Sequence, residues 1–208
     1  DRIKIRGIKQ DIWMKDMQAD KKINIQYSNK YFTSSNYWKY SIGQKAGLER
    51  LNVKAKKEET ENQFNKWVVA TPERKAKYGE ALNMIRTAIE GRAGYYNAYQ
   101  YLNETLQGCE LISESQDLEE LITALKSGDK QRITGAVVQI KSNSRDFYKD
   151  YNPPTDIKST KALLALYRTS VPAKFHPDFF ADVVDKKFKG NIDKFVDYMF
   201  AKSLYVSE

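Results

Sequence analysis

Two residue types that commonly build reactive or metal-binding sites are almost missing from this chain. Its 208 residues include one cysteine, Cys109, and one histidine, His176. A single cysteine excludes an internal disulfide and a cysteine-based zinc site. Cys109, in "LQGCELI", is interpreted as a small apolar packing residue, and His176, directly before Pro177, as a capping or packing residue. No nucleophile motif accompanies the histidine, so the residues alone predict no catalytic machinery, no metal and no cofactor.

Long apolar runs, phosphate-binding loops and strand signals are also lacking. No run approaches the roughly 18 apolar residues that a membrane-spanning helix needs. "GRAG" at 91–94 lacks the lysine and the preceding strand of a phosphate-binding loop. The one alternating segment, "KINIQY" at 22–27, is flanked by helical patterns and is predicted to be helix. A hydrophobic fraction of 41% and a charged fraction of 30% are typical of a globular domain.

The charge balance raises the question of an anionic partner. Thirty-five basic residues against 27 acidic ones give a net charge of +8, which would suit nucleic acid or an anionic surface. Each basic cluster, such as "VKAKKEETE" or "VVDKKFKGNIDK", nevertheless carries acids within a turn or two. This pattern is typical of a solvated helix face with i,i+4 pairs. The sequence therefore predicts no nucleic-acid partner, with a basic nucleic-acid-binding bundle as the least favoured alternative.

Helical periodicity fills the chain and predicts an all-α fold. No internal repeat or low-complexity linker divides it, so we expect one domain of about eight or nine helices. The first helix places five apolar residues on one face: Ile5, Ile8, Ile12, Trp13 and Met17. The predicted helices lie at about 3–20, 22–52, 53–69, from Pro72 with Thr71 as N-cap, 116–127 before Gly128, 129–149, from Asp156 to before Val171, from Pro177 to Gly190, and from Asn191 to about Ser203.

Some of these helices carry more specific expectations. The helix from Pro72 either continues through "GRAGYYNAYQYLNETL" or breaks at Gly91 and Gly94. "YNPPT" at 151–155 ends a helix outright, because proline lacks the backbone donor that a helix interior needs. In the 53–69 helix, the residues expected to face inward are Phe64, Trp67 and Val68.

One stretch departs from an ordinary core pattern. "SSNYWKYSIGQKAGLERLN" at 34–52 sets Asn36 beside Tyr37 and Trp38, and then places Gly43 and Gly47 inside a helix. Each glycine costs roughly 1 kcal/mol of helix propensity relative to alanine, so we expect a neighbouring helix backbone to approach closely at both. Aromatic residues make up 12% of the chain, and some of these rings must reach water or a partner. A stand-alone helical interaction module that binds a protein partner is therefore one interpretation.

The same stretch is part of a longer resemblance. "INIQYSNKYFTSSNYWKYSIGQKAGLERLNVKAKKEETENQFNKWV" resembles the helical domain of a bacterial dipeptidyl-peptidase family of chymotrypsin-like fold, the dipeptidyl peptidase 7 and 11 type. "ATPERKAKYGEAL" and "FADVVDKKFKGNIDKFVDYMFAKSLYVSE" resemble later parts of that domain, and the similarity is weaker over about 105–155. In that family a long helical insertion interrupts a double β-barrel serine peptidase and caps its cleft. The catalytic histidine and aspartate precede this insertion, and the serine follows it.

This resemblance implies that residues 1–208 are the helical cap domain, excised from its enzyme and inactive alone. A chain that opens inside an amphipathic pattern, "DRIKIRGIKQDIWMKDM", agrees with a piece of a longer protein. The cap is expected to move as a rigid body about junctions near 1–5 and 203–208. The resemblance further implies a periplasmic or cell-surface location and allows a homodimeric parent enzyme.

The resemblance also implies a binding residue. The family removes dipeptides from peptide N-termini and must therefore recognise a free α-amine. Asn36 in "SNYW" matches the family's helical-domain asparagine, whose side-chain oxygen accepts a hydrogen bond from that amine. Its neighbours Tyr37 and Trp38 either limit the space beyond the second substrate residue or anchor the helix, and anchoring is favoured for Trp38. The expected partners are peptides with a free N-terminus and the peptidase domain of the same polypeptide.

Overall fold

The computed structural model describes residues 1–203, and the regular structure in this range is all helical. A 3₁₀ turn (Ala173–Phe175) and a π-helical segment (Phe180–Asp185) lie towards the C-terminal end of this range. The α-helices are α1 (Arg2–Ala19), α2 (Lys21–Arg50), α3 (Val53–Val69), α4 (Pro72–Tyr78), α5 (Ala81–Gly108), α6 (Glu110–Ser115), α7 (Asp117–Ser127), α8 (Lys130–Lys149), α9 (Pro153–Ser170), α10 (Lys186–Phe188) and α11 (Ile192–Lys202).

These elements confirm the predicted all-α domain. Nine of the eleven α-helices in the described range have seven residues or more, as α6 and α10 are shorter. The predicted junction near 203–208 lies outside the described residues, apart from Ser203. None of the helices in residues 1–203 is long and apolar enough to cross a membrane.

Local capping residues set many of the helix ends. Thr71, Asp129 and Asn191 each accept a hydrogen bond from a backbone N–H in the first turn of the helix that follows, which satisfies donors that lack a partner within the helix. Gly128 ends α7 with a φ of 70°, a left-handed conformation that glycine adopts without steric cost. The helix starts predicted at Thr71 and Asn191 and the stop predicted at Gly128 are therefore confirmed.

The segment around Gly91 and Gly94 is a continuous helix. α5 runs through both glycines, so the predicted alternative of a break there is wrong. An interruption that the sequence did not predict lies earlier, between Tyr78 and Ala81. Gly94 has a packing role, because a Cβ atom at this position would lie 2.5 Å from the Phe175 ring.

The second boundary that differs from prediction is the start of α9. "YNPPT" ends α8 as predicted, but α9 already begins at Pro153 instead of near Asp156. Prolines fit the first turn, because the N–H groups there have no partner within the helix. Asp156 is consequently one turn inside α9 and fully buried. It caps the unpredicted short helix α6 by accepting hydrogen bonds from the backbone N–H groups of Glu110 (2.9 Å) and Leu111 (2.8 Å).

The main hydrophobic core lies where α1, α5, α9 and α11 meet. A smaller cluster joins α1 to α2 through Trp13, Met17 and Tyr27, and Ile12 packs against it. The predicted inward face of α1 is thus confirmed, since Ile5, Trp13 and Met17 are buried and Ile8 and Ile12 are partly buried. Buried members of the main core include Ile5, Tyr101, Leu163, Tyr167, Phe180 and Phe200.

One predicted inward residue of α3 faces outward. Val68 is buried and Phe64 is partly buried, but Trp67 is 44% exposed. The reason is that α3 packs chiefly against the short helix α4, which is too small to cover a wide apolar face. Trp67 instead lies between the Tyr78 ring, with centroids 5.6 Å apart, and the Arg74 guanidinium, at 4.5 Å.

The lone cysteine and histidine both have the predicted packing roles. Cys109 is fully buried and its thiol donates to the Thr105 carbonyl at 3.2 Å. Burial raises the pKa of the Cys109 thiol to about 12, which leaves it in the unreactive protonated form. The Nε2 atom of His176 lies 2.7 Å from the Val171 carbonyl oxygen, and its ring packs 5.1 Å from the Phe180 ring.

Candidate functional site

Asn36 lies on the exposed side of α2, about midway along the helix. It lines an open concavity of about 520 Å³ together with Thr33, Tyr37 and Tyr40. These four positions follow the i, i+3, i+4, i+7 spacing that places residues on one helix face. The side chain of Asn36 makes no hydrogen bond with another residue in the described part of the chain. Its amide oxygen is therefore free to accept a hydrogen bond from a ligand.

The walls of this concavity, which we call the Asn36 concavity, are uncharged. Tyr37 and Tyr40 are both more than 60% exposed, and the Arg6 guanidinium lies 5.9 Å from the centroid of the Tyr37 ring. Aromatic faces attract cations, and an amide oxygen accepts a hydrogen bond without adding a competing charge. The arrangement is therefore suited to a ligand that carries an ammonium group.

Trp38 has a different role from its neighbours. Its indole N–H donates to the Ile3 carbonyl at 3.0 Å. The indole also packs over Gly7, where an added Cβ atom would lie 3.6 Å from the Trp38 Nε1 atom. Trp38 thus fastens α2 to α1, which is the anchoring role that the sequence favoured. Contact of a substrate with Tyr37 or Trp38 stays a prediction.

Gly43 and Gly47 have no close neighbour, so the predicted approach of another helix is wrong within residues 1–203. A Cβ atom placed on either glycine would have nothing within 4 Å. α2 is also much longer than α1, with 30 residues against 18. At 1.5 Å per residue, α2 extends about 18 Å further than α1 could cover. The last turns of α2, from Gly43 onwards, consequently project beyond the helix that supports its first half.

An ion pair that the sequence did not reveal holds α2 in place beside Asn36. Arg6 donates to both carboxylate oxygens of Glu104 at 2.8 and 2.7 Å. The same guanidinium donates to the Tyr37 carbonyl and to the Ser41 hydroxyl, each at 3.2 Å. Bidentate pairs of this kind are geometrically specific. Arg6 therefore connects α1, α2 and α5 one residue away from Asn36, although 98 positions separate it from Glu104 in the sequence.

A larger cavity of about 690 Å³ lies between α1, α2 and α5. It shares Thr33 and Tyr37 with the Asn36 concavity, so the two spaces are adjacent along α2. We call it the inter-helix cavity. Its lining includes Ile5, Lys9, Trp13, Ser34, Glu104 and Leu163. Its volume is within the range of ordinary small-molecule sites, which are roughly 300–1,000 Å³.

Known proteins resemble this chain over its whole length. The peptidase S46 family model matches residues 1–208. Dipeptidyl-peptidase 7 of Porphyromonas gingivalis is 39% identical over 204 residues, which are 98% of this chain and 27% of that protein. The Asp/Glu-specific dipeptidyl-peptidase of Flavobacterium psychrophilum is 32% identical over 192 residues, which are 90% of this chain and 27% of that protein.

Solved structures of the same kind of enzyme also resemble this chain. Crystalline Porphyromonas endodontalis DPP11 aligns with a TM-score of 0.72 and 29% identity, over 100% of this chain and 29% of that one. The same protein in complex with the dipeptide Arg-Glu aligns with a TM-score of 0.68 over the same shares. This chain thus spans less than a third of the length of the relatives that it matches.

Proposed function

Because this chain belongs to the peptidase S46 family, we propose that residues 1–208 are the helical cap domain of a serine dipeptidyl aminopeptidase. The parent enzyme would release dipeptides from peptide N-termini, and the cap would cover its cleft and help to bind the substrate α-amine. The observation that carries the proposal is the unpaired Asn36 amide in an uncharged, ring-walled concavity. A periplasmic or cell-surface location and a homodimeric parent belong to the same proposal.

The chemistry of the ligand supports Asn36 as an amine acceptor. A peptide α-amine has a pKa near 8 and is largely charged at neutral pH. The Asn36 oxygen would accept one of its hydrogen bonds, and the peptidase domain would supply the remaining partners. The complex of the P. endodontalis relative with Arg-Glu supports a short peptide as the ligand class.

Exposed apolar residues support docking of the cap on a peptidase domain of the same polypeptide. The first half of α5 exposes Met84, Ile85 and Ile89. Clustered apolar exposure of this kind commonly marks an interaction surface. The catalytic groups would come from that domain, since the cap carries no nucleophile and base pair in its sequence.

Replacement of Asn36 in the full-length enzyme tests the proposal. A hydrogen bond to a charged group contributes roughly 1.5–3 kcal/mol, so Asn36→Ala should lower kcat/KM by roughly 10- to 150-fold. The helix should tolerate the change, because alanine is the better helix former. Asn62→Ala, which removes an exposed asparagine from α3, is the matched control and should leave kcat/KM unchanged.

The decisive comparison is between free and N-blocked peptides. The loss caused by Asn36→Ala should be large for substrates with a free amine and small for N-blocked ones, which cannot make the bond fully. Equal losses for the two substrate classes would mean that Asn36 is structural and that the amine is held elsewhere.

A stand-alone interaction module is the second candidate, favoured by the exposed rings of Tyr95, Tyr96 and Tyr99 on α5. The full-length gene separates the two candidates. The cap interpretation predicts a histidine and an aspartate upstream of this segment and a Gly-x-Ser motif downstream of it. Their absence would support the interaction module. A steep loss of affinity with salt would instead indicate nucleic-acid binding.

A further inference from the structure

Among the described residues that line the inter-helix cavity, Lys9 is a cation without an ion-pair partner. Arg6 pairs with Glu104 at 2.7 Å, and Lys30 pairs with Glu110 at 2.5 Å. Lys9, one turn after Arg6 on α1, forms no ion pair with another described residue. Its ammonium group lies over the face of the Trp13 ring, 4.8 Å from the centroid. Among the described residues, Arg6 and Lys30 thus each have a carboxylate partner, whereas the charge of Lys9 has none.

The surroundings of Lys9 make this charge costly. Burial lowers the pKa of Lys9, although the nearby carboxylates of Glu110 and Glu104 raise it in part. A charged group removed from water is destabilising unless it is paired. An anion bound beside Lys9 would offset that cost, whereas a cation would be repelled.

The walls of the cavity restrict the kind of anion. Ser34 accepts a hydrogen bond from the Gln10 side-chain amide at 2.7 Å, which leaves the Ser34 O–H free to donate. Ile5, Trp13 and Leu163 supply an apolar wall. A single uncompensated positive charge, a hydroxyl donor and an apolar wall suit a monoanion with a hydrocarbon body. A dianion such as phosphate would be disfavoured, because its second negative charge would be repelled by the carboxylates of Glu104 and Glu110.

We propose that the inter-helix cavity binds a carboxylate carried on a short aliphatic body, with Lys9 as its counter-ion and Ser34 as a hydrogen-bond donor. The cavity adjoins the Asn36 concavity through Thr33 and Tyr37. One source of the carboxylate is therefore the side chain of the first residue of a peptide whose amine is at Asn36. That source rests on the proposed function, and the other source, a small free carboxylic acid, does not.

The first test uses the full-length enzyme and two isosteric substrates, peptides that begin with Glu or with Gln. If the peptide supplies the carboxylate, wild type should favour Glu over Gln in kcat/KM by about 10-fold, and Lys9→Met should remove that preference. Lys9→Arg keeps the positive charge and should retain the preference. Lys15→Met, on the exposed side of α1, is the matched control and should behave as wild type.

The second test detects the free acid and needs no catalysis. Propanoate is titrated into the full-length protein by calorimetry, with wild type, Lys9→Met and Lys15→Met compared. Saturable binding that Lys9→Met abolishes and Lys15→Met preserves supports the free-acid source. Because this arm does not use Asn36 or turnover, it stands even if the dipeptidyl-peptidase proposal fails. A wild type that shows neither a Lys9-dependent Glu preference nor Lys9-dependent propanoate binding overturns the carboxylate site.

Discussion

Asp156→Asn is the substitution whose effect follows most directly from the packing. The Asp156 carboxylate is fully buried and accepts hydrogen bonds from the backbone N–H groups of Glu110 and Leu111 and from the Tyr151 hydroxyl, at 2.9, 2.8 and 3.3 Å. Burial, helped by the negative charge of Glu110, raises the pKa of Asp156 to about 6. The three hydrogen bonds act in the opposite direction, because they stabilise the ionised form.

The raised pKa gives the stability a predictable pH dependence. An unfolded aspartate has a pKa of about 3.9, so between about pH 4 and pH 6 the folded chain binds more protons than the unfolded chain. The stability contributed by protonated Asp156 is fully present below about pH 4 and is lost as the pH rises through about 6. A difference of about two pKa units corresponds to about 2–3 kcal/mol between pH 4 and pH 7.

Urea unfolding at these two pH values measures the effect. Asparagine does not ionise, so the stability cost of Asp156→Asn should be about 2–3 kcal/mol larger at pH 4 than at pH 7. Asp193→Asn, an exposed change in the first turn of α11, controls for the loss of one negative charge. A larger cost at pH 7 than at pH 4 would refute the reasoning. It would mean that the hydrogen bonds from α6 outweigh burial and hold the carboxylate ionised.

Two further predictions concern glycines and the cysteine. Gly43→Ala and Gly47→Ala should each raise the free energy of unfolding by about 0.5–1 kcal/mol, because a Cβ meets nothing within 4 Å at either position. Gly94→Ala should lower the free energy of unfolding by about 1–3 kcal/mol, since its Cβ would collide with the Phe175 ring. Thermal melts test both predictions, and a higher Tm for Gly94→Ala than for Gly43→Ala and Gly47→Ala would contradict this packing. Cys109 should react with a thiol reagent at neutral pH no faster than the chain unfolds, given its burial and its pKa of about 12, and fast labelling of the folded chain would be inconsistent with that environment.

The features that sequence predicts well are those set by neighbours along the chain. Thr71 and Asn191 each cap a helix by accepting a hydrogen bond from the residue three positions later, and the apolar stripe of α1 is a local periodicity. Such signals do not depend on how the helices pack. For this reason the fold class and most helix ends could be predicted without coordinates.

The features that it misses are set by residues far apart in the sequence. The α6 cap joins Asp156 to a backbone N–H 46 positions earlier, and the Arg6–Glu104 pair spans 98 positions. Neither partner has a local pattern that identifies the other. A glycine inside a helix, such as Gly43, is unfavourable and therefore suggested close packing. The sequence could not show whether a neighbouring helix was present. Asn36 was found through the resemblance of its motif, and its exposure on α2 needed the structure.

The part of α2 that extends beyond α1, from Gly43 to Arg50, has a mechanical consequence. The helix contains no proline and is fastened to α1 near Asn36 by Trp38 and Arg6. From Asn36 to Arg50 the helix is about 21 Å long, and its outer turns are free of support from α1. A tilt of about 5° around the fastened region would move the tip by about 2 Å. Because α3 begins at Val53, directly after α2, we expect a displacement of α3 to tilt α2 and so to reorient the Asn36 amide.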